Sequence, residues 1–199
     1  MSRRSHVTGF HPLPTGSTEY ESALERDFVT LTSFLDPAAR IVSQPVTVRF
    51  LTEAGFRRYT PDFLVKRVGA GSELIEIKYE NDLRANIERL APAFDAACAW
   101  AANRGVSFRV VTEKDIRRPA LKNAQRLLPL RNAPVNLQVT HCALNTVRSQ
   151  HSLTLRDLLK ALPVDRRISL ATIWALLARG TLRADFSAAI TLDTPIIAP

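Results

Sequence analysis

A chain of 199 residues that is 46% hydrophobic can bury a sizeable core, which excludes wholesale disorder. No apolar run approaches the ~20 residues that cross a bilayer, no apolar stretch follows the basic start to make a secretory signal, and the isolated Cys98 and Cys142 exclude a zinc site or disulfide framework, so a reducing cytoplasmic location and no membrane partner are expected. The net charge of +8 favours a polyanionic partner such as nucleic acid, and its excess is concentrated: residues 1–103 carry 12 Lys/Arg against 13 Asp/Glu, whereas 104–131 carry 8 against 2.

Residues 1–17 contain Pro12, Pro14 and Gly16 without periodicity and read as a flexible arm. Ser17 or Thr18 can cap a helix whose apolar face is Leu24, Phe28, Leu31 and Leu35, ended by Asp36-Pro37. Ile41 to Phe50 predicts a strand, Arg57 to Val65 a second and Glu73 to Tyr79 a third, with turns at Glu53-Ala54-Gly55 and Ala70-Gly71-Ser72, giving an antiparallel meander. A long helix from about Asp82 to Asn103 aligns Leu83, Ile87, Leu90, Phe94, Ala97 and Ala101 on one side, with Cys98 and Trp100 read as core. Phe108 to Val111 is a short strand, and Pro119 suits the first turn of a helix reaching about Leu128.

This order predicts an α/β core with one mixed sheet over residues 18–131. Past the linker Asn132-Ala133-Pro134, residues 135–199 read as a small separate domain. Helices over Thr154 to Leu162 and Ser169 to Arg179, then strands over Thr181–Ala184 and Ala189–Leu192, predict a winged-helix-like unit, with Trp174 in its core.

Two fragments carry chemistry: Tyr59-Thr60-Pro61-Asp62-Phe63 and Leu74-Ile75-Glu76-Ile77-Lys78. Strand alternation turns Ile75 and Ile77 to one face and Glu76 and Lys78 to the other. A Glu and a Lys on a covered strand must pair, bind a metal or line a cleft, because an uncompensated buried charge is costly. Asp62, on the preceding strand, can approach Glu76, and two carboxylates beside a lysine make a hard-oxygen site suited to Mg²⁺, with Mn²⁺ a substitute. The carbonyl of Ile77 is a further candidate ligand, and Glu25 on the first helix a third carboxylate. Lys78 would orient a water or stabilise charge on the phosphorane-like transition state, so the chemistry fits phosphodiester hydrolysis. The competing reading makes Asp62 a turn cap and Glu76 with Lys78 a solvated pair.

Pro61-Asp62 with Glu76-Ile77-Lys78 resembles the motif of the PD-(D/E)xK nuclease superfamily, and more narrowly the chain is similar to the TnsA endonucleases of heteromeric cut-and-paste transposases. The likeness is carried by Ser22-Ala23-Leu24-Glu25, Phe34-Leu35-Asp36-Pro37, Gln44-Pro45-Val46-Thr47, Tyr59 to Val65, Glu76-Ile77-Lys78 and Val110 to Ile116. It implies a restriction-endonuclease-like core, a mixed sheet flanked by helices. It aligns Glu25, rather than Glu21, with the family's helix acid. It also implies cleavage of double-stranded DNA at the 5′ ends of a mobile element, in concert with a DDE-type transposase and an AAA+ ATPase regulator. Some members have Gln where this chain has Glu76. A stand-alone restriction or repair nuclease of the same fold, and a non-catalytic DNA-binding assembly subunit, are the alternatives.

Arg118, Lys122 and Arg126 recur every four residues while Leu121, Ala124 and Leu128 take another face. A solvated basic face is common, but within the cationic segment the stripe is expected to contact DNA phosphates.

Overall fold

The computed structural model describes residues 7–14, 16–150 and 153–198. Two compact units divide the chain, the first ending at Arg117 and the second beginning at Arg118.

Where an arm without periodicity is expected, the described residues form a hairpin of β1 (Gly9–Leu13) and β2 (Gly16–Tyr20); residues 1–6 and 15 of that stretch lie outside the description. Gly16 takes the left-handed backbone its turn requires, with φ 131°. Helix α1 (Ala23–Leu35) begins at Ser22, not Ser17 or Thr18: the Ser22 hydroxyl accepts from the Glu25 N–H at 3.1 Å. Leu24, Phe28 and Leu31 are buried as the periodicity predicts, whereas Leu35 is exposed.

The expected first strand is two, β3 (Arg40–Ser43) and β4 (Val48–Thr52), and the second is likewise β5 (Gly55–Tyr59) and β6 (Phe63–Lys66). Both breaks contain a proline, Pro45 and Pro61, which has no N–H to carry a ladder forward. The first break also holds Gln44, the one described non-glycine residue with positive φ, at 45°. Strands β4 and β5 therefore leave the main sheet and pair only with each other. The main sheet has the order β3-β6-β7-β8, with β7 at Ser72–Ile77 and β8 at Val106–Val111. Its first two pairings are antiparallel and β7 with β8 is parallel, joined by the long helix α2 (Glu80–Ala102), so the sheet is mixed.

Each face of this sheet is covered. Phe63 stacks on Phe28 of α1 at 5.5 Å on one side. On the other, Leu74 packs with Ala97 and Ala101 of α2, flanked by Tyr59, Leu64 and Phe108. Only the C-terminal half of α2 carries a buried stripe: Ile87 is exposed, as is Cys98, which the sequence reading placed in the core. Trp100 is half-buried under Arg104. A single turn, α3 (Glu113–Ile116), follows β8 with a capping box from Thr112 and Asp115.

In the second unit α4 (Pro119–Leu127) starts on proline and buries Ala120, Leu121, Ala124 and Leu127. The sequence reading runs the first domain on to residue 131, but these side chains and Asn123 belong to the second unit: Asn123 Nδ2 donates to the carbonyls of Phe186 and Ala188 at 3.1 and 2.7 Å. Helix α5 (Leu137–Ser149), unforeseen in sequence, buries small residues spaced by four, Val139, Ala143 and Val147. Helices α6 (Leu155–Ala161) and α7 (Arg166–Ala178) match expectation, and α7 with Trp174 is core. The winged-helix-like hairpin is not formed among the described residues: instead of a pair between 181–184 and 189–192 there are single bridges, Thr154 to Pro195 and Arg183 to Ile197. No helix among the described residues is long and apolar enough to cross a membrane.

Candidate active site

Register places the two carboxylates side by side. Phe63 pairs with Ile75 and Leu64 with Leu74, so one step further along the ladder Asp62 stands opposite Glu76. Both then share the sheet face that Leu64 and Leu74 present to α2. Asp62 lies in the bend after Pro61 and is fixed twice: its Oδ2 accepts from the Ile77 N–H at 2.6 Å, and its carbonyl accepts from the Gln44 N–H at 2.8 Å. Glu76 is only 3% exposed. Its Oε2 accepts from the Tyr59 hydroxyl at 2.6 Å and its Oε1 from the Lys78 ammonium. Lys78 Nζ also donates to the Ile77 carbonyl at 3.3 Å. The backbone of Lys78 is tied to β8 through the Val111 carbonyl at 3.1 Å.

The electrostatics follow from crowding two carboxylates against one ammonium in a covered place. Burial, then the Glu76 charge, pushes the Asp62 carboxyl up to about 7, against the downward pull of the Ile77 N–H and of Lys78. Burial pulls the Lys78 ammonium down, but Glu76, Asp62 and Glu25 outweigh it and hold it above its usual range. Burial and the adjacent Glu76 drive the Tyr59 phenol far above its ordinary value, so it stays protonated as a donor.

Asp62, Glu76, Ile77 and Lys78 thus come together. Glu25 does not join the cluster: its Oε2 accepts from the Glu21 N–H at 2.8 Å across the start of α1, although its charge is felt at both Asp62 and Lys78. Glu21 is held by Gln44, whose Nε2 donates to Glu21 Oε1 at 2.7 Å. Among the described residues no three His, Cys, Asp or Glu side chains converge as a metal cage. All three residues of the basic stripe are exposed, Arg118 at the N-cap of α4 and Lys122 and Arg126 on the helix, with Arg126 lying over the Trp174 ring at 4.0 Å.

Two members of the site escape sequence reading. Tyr59 reaches Glu76 across the sheet, and Gln44 links Asp62 to Glu21. The available signals were a tyrosine three residues before the aspartate and a glutamine before a proline, both inside stretches quoted for the family likeness.

The donor set fits a hard divalent cation. Asp62 Oδ1, the Glu76 carboxylate and the Ile77 carbonyl are all oxygens.

Fold and site together define a mixed α/β protein of nuclease-like build, with an acidic pair and a lysine at the end of adjacent strands of a mixed sheet. Residues 38–113 match the family model described as TnsA-like endonuclease N terminal. Over that stretch the chain is similar to the N-terminal part of TnsA-like endonucleases, and Asp62, Glu76 and Lys78 fall inside it. Glu25 and the stripe on α4 fall outside it. No curated protein matches the chain.

Proposed function

We propose that the chain is a magnesium-dependent DNA endonuclease of restriction-endonuclease-like fold that hydrolyses phosphodiester bonds at the 5′ ends of a transposable element, alongside a DDE-type transposase and an AAA+ ATPase regulator. The observation that carries this reading is the convergence of Asp62, Glu76 and Lys78, through Oδ2 of Asp62 on the Ile77 N–H and the Lys78 ammonium on Glu76.

Asp62, Glu76 and the Ile77 carbonyl would hold Mg²⁺, and Glu25 would join them only by leaving the Glu21 N–H that it accepts from in the metal-free chain. When bound, the ion supplies Lewis-acid polarisation of the phosphate and lowers the pKa of an attacking water. Lys78, freed from part of its pairing with Glu76, orients that water or neutralises charge on the pentacoordinate phosphorus. Tyr59 keeps Glu76 oriented. Arg118, Lys122 and Arg126 are proposed to contact DNA phosphates.

Metal dependence tests the reading. Duplex DNA should be cut in Mg²⁺ or Mn²⁺, bound without turnover in Ca²⁺, and left intact in excess EDTA. Undiminished cleavage in EDTA excludes the mechanism. Transposase and AAA+ genes adjacent to the coding sequence favour the transposition role; their absence favours a stand-alone nuclease.

A further inference from the structure

The ribbon of β4 and β5 has two unlike faces. Pairing sets Arg49 opposite Arg58 and Leu51 opposite Phe56, so these four share one face. The other face carries Val48, which is buried, and Tyr59, whose ring meets Phe94 of α2 at 6.0 Å. All four residues of the first face are exposed, Leu51 by 69% and Phe56 by 80%. Arg49, Arg58 and the neighbouring Arg57 have no acidic partner among the described residues.

Such a face works against the fold that carries it. Like charges directly opposite each other destabilise a strand pair, and a large apolar pair beside them gains nothing from water. A polyanion with an apolar groove satisfies both. Phosphates neutralise the arginines, and the apolar pair fits against sugars and base edges; two-stranded ribbons and apolar wedges are known ways of entering DNA grooves. The ribbon also runs straight into the site, since Arg58 is followed by Tyr59, the residue bonded to Glu76.

We infer that the β4–β5 ribbon is a duplex-DNA grip, with Arg49 and Arg58 on phosphates and Leu51 and Phe56 set into the groove between them. The inference rests on the nuclease reading and names where that nuclease holds its substrate.

The test is fluorescence anisotropy of the full chain on a labelled duplex in EDTA, across a salt series, for wild type, Arg49→Gln/Arg58→Gln and Leu51→Ser/Phe56→Ser. Thermal midpoints of the variants should match wild type, because every altered side chain is exposed. The arginine pair should make the slope of log K against log salt shallower by ~0.9 per lost contact. The apolar pair should weaken binding severalfold at all salt concentrations with the slope unchanged. Wild-type slope and affinity in both variants would overturn the inference, and is the result expected if the ribbon serves a protein partner. A wild-type chain without salt-dependent affinity for duplex overturns it as well. The nuclease reading is judged separately, by cleavage in Mg²⁺, and survives if the ribbon variants bind and cut as wild type does.

Discussion

The hydroxyl of Tyr59 donates to Oε2 of Glu76 at 2.6 Å, while the ring of Tyr59 packs edge-on against Phe94 of α2. One residue thus joins the hydrophobic layer under the sheet to the acid of the site. Tyr59→Phe keeps the ring and deletes the donor. Leaving a buried acceptor short of one partner costs about 1–3 kcal/mol, and if Glu76 binds metal as proposed, loss of the group that orients it costs ~10–100-fold in activity or metal affinity. Thermal melts and cleavage rates measured together should show a modest fall in the first and a large fall in the second. Wild-type cleavage by Tyr59→Phe would mean that Glu76 needs no such support.

The Asp62 carboxyl predicts how the metal-free protein responds to pH. It titrates at about 7 in the folded chain against 3.8 for the free side chain, so the folded state binds its proton more tightly than the unfolded one. Its contribution is fully present below pH ~4 and is lost as pH rises through about 7. Calorimetry in EDTA should therefore show a thermal midpoint that declines from pH 5 to pH 8. Asp62→Asn should flatten the decline, and Mg²⁺ should raise the midpoint at pH 8 for wild type but much less for the variant. A midpoint indifferent to Asp62→Asn at every pH contradicts this account of the site.

Much of this site is legible in the sequence because strand alternation and short spacing govern it. Glu76 and Lys78 share a face by a period of two, and Asp62 precedes a strand that pairs next to theirs. What is not legible depends on long-range register. Nothing local says that Tyr59, on β5, bonds to Glu76 on β7, or that Glu25 spends its carboxylate on the Glu21 N–H. The strand breaks at Pro45 and Pro61 carry local signals, but alternation on either side runs through them and reads as continuous. Helix α5 buries mostly small side chains at intervals of four, too weak an apolar stripe to stand out. The segment after α7 carries strand-like residues, yet its chain is held by single bridges and by Asn123 rather than by a ladder.

The stripe on α4 divides in its expected behaviour. Arg118→Gln and Lys122→Gln, both exposed, should each flatten the salt dependence of DNA binding by ~0.9 if they contact phosphates. Arg126 is engaged with Trp174 at 4.0 Å, so Arg126→Gln should also cost about 0.5–1 kcal/mol of stability. Binding across a salt series and chemical denaturation separate the two effects. Unchanged slopes for Arg118→Gln and Lys122→Gln would remove α4 from the DNA path.

The most direct measurement is strand cleavage of duplex DNA in Mg²⁺ by wild type, Asp62→Ala, Glu76→Ala and Glu25→Ala, with a thermal melt on each preparation. Asp62 and Glu76 are the proposed ligands, so each of their variants should lose cleavage while still melting cooperatively; Glu25→Ala should be impaired to a smaller degree, since Glu25 stands at the margin of the cluster. Glu21→Ala, just ahead of the Ser22 cap of α1, serves as the control on the choice of Glu25. Loss of cleavage in folded Asp62→Ala and Glu76→Ala is the result the account predicts, and full activity in either contradicts it.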